Sequence, residues 1–129
     1  RLRCDWSSDV CSSDLGHSPA FILGSDGAVK SELRRTGMPL GVMQDAEYTV
    51  SKPLRLAKGD VLVLLTDGLE ETANPEGELF GVDRILQAVH QNRQSKAAKI
   101  VESVFETLKD FSGNGEQVDD LTMIVAKAE

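Results

Sequence analysis

The chain has 129 residues, of which 40% are apolar, and its 21 acidic and 14 basic residues give a formal net charge of -7. This length and apolar content predict one small folded domain. The acidic balance and the scattered lysines and arginines argue against a phosphate backbone as partner, so we expect no nucleic acid. No apolar run approaches the roughly 20 residues that span a bilayer, and no signal-peptide core opens the chain, so we expect a cytoplasmic location and no membrane segment here.

Residues 1–15 differ in composition from the rest of the chain. They contain both cysteines, Cys4 and Cys11, and the single tryptophan, and they repeat Ser-Ser-Asp without a helical or strand period. From Asp5 onward they resemble the in-frame translation of a DNA sequencing adapter. We therefore interpret residues 1–15 as a non-native extension and residues 16–129 as the domain. A Cys-x6-Cys metal or disulfide pair is the alternative, but two thiols without histidine make a poor zinc site.

The first half of the domain is rich in strand patterns. Residues 19–23 and 28–33 flank an Asp-Gly turn, which predicts a hairpin. The glycine- and proline-rich residues 37–41 predict a loop, and the alternation at 48–50 and 54–56 predicts a half-exposed strand. Residues 61–65 are apolar at every position. Both faces of this strand should therefore be covered, and it should lie in the middle of a sheet.

The period of the apolar residues then changes from that of a strand to that of a helix. Spacings of i, i+3, i+4 and i+7 predict an amphipathic helix that starts near Phe80. A second, longer apolar stripe predicts another helix, with Ser95 as its N-cap and Gly113 as its end. Residues 121–125 predict a strand that returns beside residues 61–65. Strands, two helices and a final strand indicate an α+β fold with antiparallel pairing.

Three carboxylates lie at the ends of the two apolar strands. Asp67 closely follows residues 61–65, whereas Asp119 and Asp120 directly precede residues 121–125. If the strands are antiparallel neighbours, the end of one lies beside the start of the other. Carboxylate oxygens are the ligands that hard cations such as Mg²⁺ and Mn²⁺ prefer. The pattern therefore predicts a metal site at one sheet edge, with a plain turn and a solvated strand start as the structural alternatives.

Other polar residues receive structural interpretations. We expect Glu70 and Glu71 to form an exposed charged turn, since such residues after a strand are usually solvated, and a role as outer-shell groups of the metal site is the alternative. Arg34 and Arg35 are expected to face solvent. His90 is expected on a helix surface and is given no functional role.

Several short motifs follow one another in a specific order and spacing. They are Gly-His-Ser-Pro at 16–19, Met-Pro-Leu-Gly at 38–41, Gly-Asp at 59–60, Thr-Asp-Gly at 66–68, Glu71, Leu-Phe-Gly at 79–81 and Asp-Asp-Leu-Thr at 119–122. Together they resemble the SpoIIE/RsbU-type branch of the metal-dependent (PPM-type) serine/threonine protein phosphatases. The resemblance covers residues 16–129 and matches the C-terminal part of that domain. It implies a partial α-β-β-α sandwich with antiparallel sheets, in which the N-terminal strands are missing.

The resemblance also implies roles for particular residues. Asp67 and Asp119 would be metal ligands, and Asp120 would occupy the adjoining position, where relatives carry Asn or Asp. Two ions, Mg²⁺ or Mn²⁺, would activate a water as the nucleophile, so no catalytic side chain is assigned. Gly68 would let the backbone pass close to the metals. His17 stands where it can position substrate or water, although a hydrogen bond that holds the hairpin is the favoured role.

The function implied by the resemblance is removal of phosphate from phosphoserine or phosphothreonine on regulatory proteins of the anti-sigma-factor antagonist type. An upstream sensory domain is expected in the parent protein. Relatives supply a further bridging Asp from strands before residue 16, where this chain has residues 1–15. We therefore predict that the parent protein is a phosphatase and that this fragment alone is inactive. The alternatives are a non-catalytic phosphatase-like scaffold and a von Willebrand-type metal-dependent adhesion module, both of which bind proteins without turnover.

Overall fold

The computed structural model of the chain describes residues 18–34, 42–45, 47, 52–113 and 120–129. These residues form one antiparallel four-stranded sheet with two long helices packed on one face. The elements are β1 (Ala20–Leu23), β2 (Val29–Leu33), β3 (Val61–Leu65), α1 (Asp67–Glu71), α2 (Gly81–Asn92), α3 (Ala97–Ser112) and β4 (Met123–Lys127). The strand order across the sheet is β2-β1-β3-β4. The predicted α+β class with antiparallel pairing is confirmed.

The predicted hairpin is formed by β1 and β2. Its turn is closed by a hydrogen bond from Gly27 N–H to Gly24 O at 2.7 Å, and Asp26 Oδ1 accepts the Ala28 N–H at 3.0 Å. Gly27 has a φ of +88° and lies against the imidazole of His90 on α2. A side chain at this position would be strained and would overlap that ring, so the turn requires glycine. His90 is exposed, as predicted, but it packs on the hairpin.

Strand β3 lies inside the sheet, between β1 and β4, as predicted. Val61, Val63 and Leu65 are buried against the helices, because they alternate onto one face of the strand. Leu62 and Leu64 point to the opposite face and are half-buried. The sequence predicted that both faces of β3 are covered. Among the described residues, the face toward the helices is fully covered and the opposite face is covered in part.

The two long helices pack on the sheet through the predicted apolar stripes. The side chains of Ile85, Val89, Ile100 and Val104 are completely buried in the core that they share with β3. Helix α3 ends at Gly113, as predicted, where φ is +62° and the N–H donates to Lys109 O at 3.1 Å. No helix in these stretches is both long and apolar enough to cross a bilayer.

Four expectations about local structure need correction. Residues 54–56 form no strand: the side chains there are exposed, and no described segment pairs with them. Ser95 is not the N-cap of α3, because Lys96 occupies that position. Strand β4 begins two residues later than predicted, and α1 was not predicted at all. The predicted loop at 37–41 and the predicted strand at 48–50 lie outside the described residues.

A buried carboxylate fixes the turn that leads into β3. Asp60 is 2% exposed, and it accepts hydrogen bonds from Lys30 Nζ at 2.7 Å and from Ala57 N–H at 2.8 Å. Both hydrogen bonds hold the pKa of this carboxyl below its usual value, and the one from Lys30 has the larger effect. The ion pair joins β2 to the start of β3 across β1. It therefore helps to fix the register from which β3 runs to the candidate site.

Candidate functional site

The ends of β3 and β4 are joined by the backbone and hydroxyl of Thr66. The last ladder pair is Leu65 with Met123, and beyond it Thr66 N–H donates to Thr122 O at 3.0 Å. Thr66 Oγ1 donates to Asp120 O at 3.1 Å and accepts the Thr122 N–H at the same distance. This pairing brings the segment after β3 next to the segment before β4. The antiparallel neighbourhood predicted from the sequence is confirmed.

Asp67 is the first residue of the short helix α1, directly after Thr66. Its Oδ1 accepts the Gly68 N–H at 3.0 Å, and its side chain is exposed. A carboxylate in the first turn of a helix also interacts favourably with the helix dipole. Gly68 itself is buried, and its carbonyl accepts a hydrogen bond from Thr72 Oγ1 at 2.7 Å. Hydrogen bonds therefore hold the backbone on both sides of Asp67, at Thr66 and at Gly68.

Buried apolar groups anchor α1 from below. Leu69 is completely buried in the core, so the helix cannot lift off the sheet without exposing it. The loop after α1 returns to the same place, because Phe80 N–H donates to Thr72 O at 2.8 Å and Ala73 bridges Leu79. Phe80 is also completely buried. The position of Asp67 is thus set by packing rather than by an exposed turn.

Asp120 precedes β4 on the other side of the Thr66 link. Its side chain is exposed, and its backbone carbonyl is the group that Thr66 holds. Asp119 and His17, both predicted site residues, lie outside the described residues. The structure therefore brings Asp67 and Asp120 to one edge of the sheet. Within the segments it describes, no cluster of three or more possible metal ligands is present.

Ser18 and Glu70 form a further contact at this edge that the sequence did not predict. Ser18 Oγ donates a hydrogen bond to Glu70 Oε1 at 3.1 Å, across 52 residues of sequence. Glu70 is half-buried and belongs to α1, so the prediction of an exposed charged turn was wrong for this residue, whereas Glu71 is exposed. The segment that enters β1 is therefore tied to the helix that carries Asp67. No periodicity in the sequence could reveal such a pair.

The donor set at this edge suits a hard divalent cation. Asp67 and Asp120 offer oxygen atoms, and the described residues around them supply neither the thiolates nor the imidazoles typical of softer metals. Two carboxylates are fewer than the six or more oxygen ligands that such an ion takes, so further ligands have to come from elsewhere. The residues described thus fit part of a Mg²⁺- or Mn²⁺-type site.

The arrangement of sheet and helices is similar to that of solved phosphatase domains. The SiaA-PP2C domain of Pseudomonas aeruginosa superposes with a TM-score of 0.68 at 21% identity, covering 86% of this chain and 43% of that one. The phosphatase domain of the cell fate determinant SpoIIE from Bacillus subtilis gives a TM-score of 0.60 at 19% identity, covering 89% and 48%. The fold is therefore that of about half of a PP2C-type phosphatase domain, which confirms the partial sandwich.

The family model described as Stage II sporulation protein E (SpoIIE) matches residues 3–129. The chain belongs to this family, as the motif order predicted. Protein IcfG of Synechocystis sp. is 33% identical over 111 residues, covering 86% of this chain and 17% of that protein. Phosphoserine phosphatase RsbU of Bacillus subtilis is 30% identical over 118 residues, covering 89% and 33%. The chain thus spans between a sixth and a third of the length of these relatives. Phosphatases of the PP2C type are metal-dependent in general.

Proposed function

We propose that the protein to which this chain belongs hydrolyses phosphoserine or phosphothreonine on regulatory proteins, using Mg²⁺ or Mn²⁺ held at the β3–β4 edge. The observation that carries the proposal is the Thr66 link, which brings Asp67 next to the segment of Asp120 in a chain of the SpoIIE family. Membership of this family supports the phosphatase class. The position of the two carboxylates supports the choice of this edge.

The proposed roles of the residues rest on the motifs that this chain shares with the family. Asp67 and Asp119 are the proposed ligands, and Asp120 adjoins them. When bound, divalent cations here would supply an activated water and would neutralise charge on the phosphoryl group. Buried Gly68 keeps side-chain atoms away from the backbone next to Asp67. His17 stays a candidate for positioning substrate or for holding the hairpin.

The proposed substrate is a phosphorylated regulatory protein of the anti-sigma-factor antagonist type. The name of the relative RsbU, a phosphoserine phosphatase, supports phosphoserine as the group removed. The small share of the relatives that this chain covers supports further domains in the parent protein, of which a sensory domain is the proposed one. We also propose that residues 1–15 are a foreign extension and that the fragment alone is inactive, because a bridging ligand is then absent.

The two alternatives fare differently. A von Willebrand-type adhesion module requires alternating strands and helices around a parallel sheet, whereas the strand pairs described here are all antiparallel. That alternative is therefore rejected for this fold. A phosphatase-like scaffold that binds proteins without turnover keeps the same fold and the same carboxylates. It differs from the proposal in turnover alone, so an activity measurement separates them.

The decisive experiment uses the uninterrupted reading frame, recovered by long-read sequencing across the junction of residues 15 and 16. The complete domain and the 129-residue chain are assayed side by side with a phosphoserine protein and Mn²⁺. Asp67→Asn and Asp119→Asn should each lower kcat/KM by on the order of 100-fold or more, since a metal supplies several kcal/mol of transition-state stabilisation. Asp110→Asn, which changes an exposed carboxylate on α3, is the matched control.

The outcomes separate the hypotheses. Turnover by the complete domain that is lost in the site variants and kept in Asp110→Asn supports the proposal. Mn²⁺ binding by the complete domain without turnover would instead favour the non-catalytic scaffold. Metal-dependent turnover by the 129-residue chain would contradict the missing bridging ligand. A Mg²⁺ titration in the same assay identifies the ion that the enzyme prefers.

A further inference from the structure

A cavity of about 820 Å³ opens at the end of the sheet that is remote from Asp67. Here the turn before β3 meets the end of β4, since Gly59 N–H donates to Ala128 O at 2.8 Å. The loop between α2 and α3 and the first turn of α3 form the other wall. The five residues of β3 alone separate the two ends by roughly 13 Å. The cavity is therefore distinct from the carboxylate edge.

The cavity gathers positive charge in a chain whose net charge is -7. Four basic side chains line it, and among the described lining residues Glu129 is the single acidic one. The four are Lys58, Arg93, Lys96 and Lys127. They come from three separate stretches of sequence, so the lysines and arginines that are scattered along the chain are brought together by the fold.

This positive charge is offset only in part, because Glu129 is the one acidic side chain among the described lining residues. None of the four basic residues forms an ion pair with another residue in the part of the chain that the structure describes. Lys127 Nζ donates to Arg93 O at 2.8 Å and to Ser95 O at 3.0 Å. Arg93 Nε donates to Ser25 O at 3.2 Å. Carbonyl acceptors fix these two cations in place but carry no net charge, so the field of the cluster persists.

The remaining two cations are available to a ligand. Lys58 lies in the turn before β3 and Lys96 directly before α3, and both are exposed. The first amides of α3 also border the cavity, and no side chain caps them, which adds to the positive potential. The apolar part of the lining consists of alanines, and no aromatic ring of the described residues faces the cavity. A ligand is therefore recognised through several negative charges and not through stacking on a base or burial of a large apolar group.

We propose that this cavity binds an acidic segment of a protein partner, one that presents several Asp or Glu side chains in an extended stretch. Its four cations come from three separate stretches of the chain around a cavity of about 820 Å³, which suits several charges distributed along a peptide better than a single compact anion. A cleft lined by one sign of charge also raises the rate at which an oppositely charged partner arrives. The proposal does not depend on catalysis, because it concerns binding at the end of the sheet remote from Asp67.

The test is a fluorescence-anisotropy titration of the 129-residue chain with a labelled peptide of alternating Glu and Ser. Lys58→Gln combined with Lys96→Gln should weaken binding by about 3- to 30-fold, as expected for the loss of two partly exposed ion pairs. The matched control is Lys52→Gln combined with Lys109→Gln, which removes the same charge from exposed lysines outside the cavity. It should change the affinity by less than about twofold.

Each result supports or overturns the proposal that the cavity binds an acidic protein segment. Binding that weakens with rising salt and is reduced by the cavity variants alone supports the proposal. Equal losses in the cavity and control variants would mean attraction to surface charge in general, which overturns it. Absence of peptide binding at low salt overturns it too. A single-stranded oligonucleotide of equal charge is titrated in the same way. If it binds more tightly and with the same sensitivity to the cavity variants, the ligand of the cavity is a nucleic acid and the proposal is overturned. Circular dichroism confirms that both double variants are folded.

Discussion

The Thr66 hydroxyl should contribute measurably to the stability of the sheet edge where Asp67 and Asp120 lie, and Thr66→Val tests this. Valine keeps the volume and the branched shape that suit an extended residue, but it removes one donated and one accepted hydrogen bond, each 3.1 Å long. A hydrogen bond contributes about 0.5–1.5 kcal/mol net, and water can reach the groups left behind here. We therefore expect the free energy of unfolding to fall by about 1–2 kcal/mol in urea titrations.

Thr66→Ser is the matched control, because it keeps the hydroxyl and loses a methyl group. It should retain most of the stability that Thr66→Val loses. In the complete domain, Thr66→Val should also weaken Mn²⁺ binding by up to about tenfold, since 1.4 kcal/mol corresponds to that factor. If Thr66→Val and Thr66→Ser prove equally stable, the hydroxyl does not hold the strand ends together, and the reasoning about this edge is refuted.

Three further predictions concern the scaffold. Gly27→Ala should destabilise the chain by about 1 kcal/mol more than Gly77→Ala in urea titrations, because both glycines have positive φ but only the first would overlap a packed imidazole; equal losses would contradict this. The lowered pKa of Asp60 adds stability that is present above its ordinary value of 3.8 and is lost as pH falls through the lowered value, so Asp60→Asn should reduce the acid sensitivity of unfolding. Ile85→Ala in the core should cost about 2–5 kcal/mol, whereas Ile124→Ala, at a side chain 57% exposed, should cost much less; thermal melts compare the two.

Segments with a strong apolar pattern were predictable from the sequence, and segments without one were not. The uninterrupted apolar run of β3 indicated a strand inside the sheet, and the apolar stripe of α3 repeats over enough residues to identify the helix and its buried face. Helix α1 has five residues and includes Gly68, so it is too short to display a helical period. Residues 54–56 alternate like a strand, but an alternation of three residues does not establish a strand when no other segment pairs with it.

The same distinction applies to the site. Asp67 and Asp120 were predictable as neighbours because antiparallel pairing of two apolar runs places their ends together. The Ser18–Glu70 hydrogen bond was not, since it joins two residues whose separation follows from the whole fold. The basic cavity was missed for a related reason. Its cations lie at positions 58, 93, 96 and 127, and no local pattern in the sequence connects them.

The β3–β4 pair has carboxylates at one end and lysines at the other, and the two ends should therefore respond in opposite ways to removal of divalent ions. A phosphate ester repels the carboxylates of Asp67 and Asp120 unless cations intervene, because like charges at close range are unfavourable. An acidic peptide needs no such cation beside Lys58 and Lys127. In the complete domain, EDTA should abolish hydrolysis of the phosphoprotein and leave the affinity for the acidic peptide within about twofold, as for independent distant sites. A parallel loss of both would show that the peptide binds at the carboxylate edge through the metal, and the two ends of the sheet would then not be separate sites.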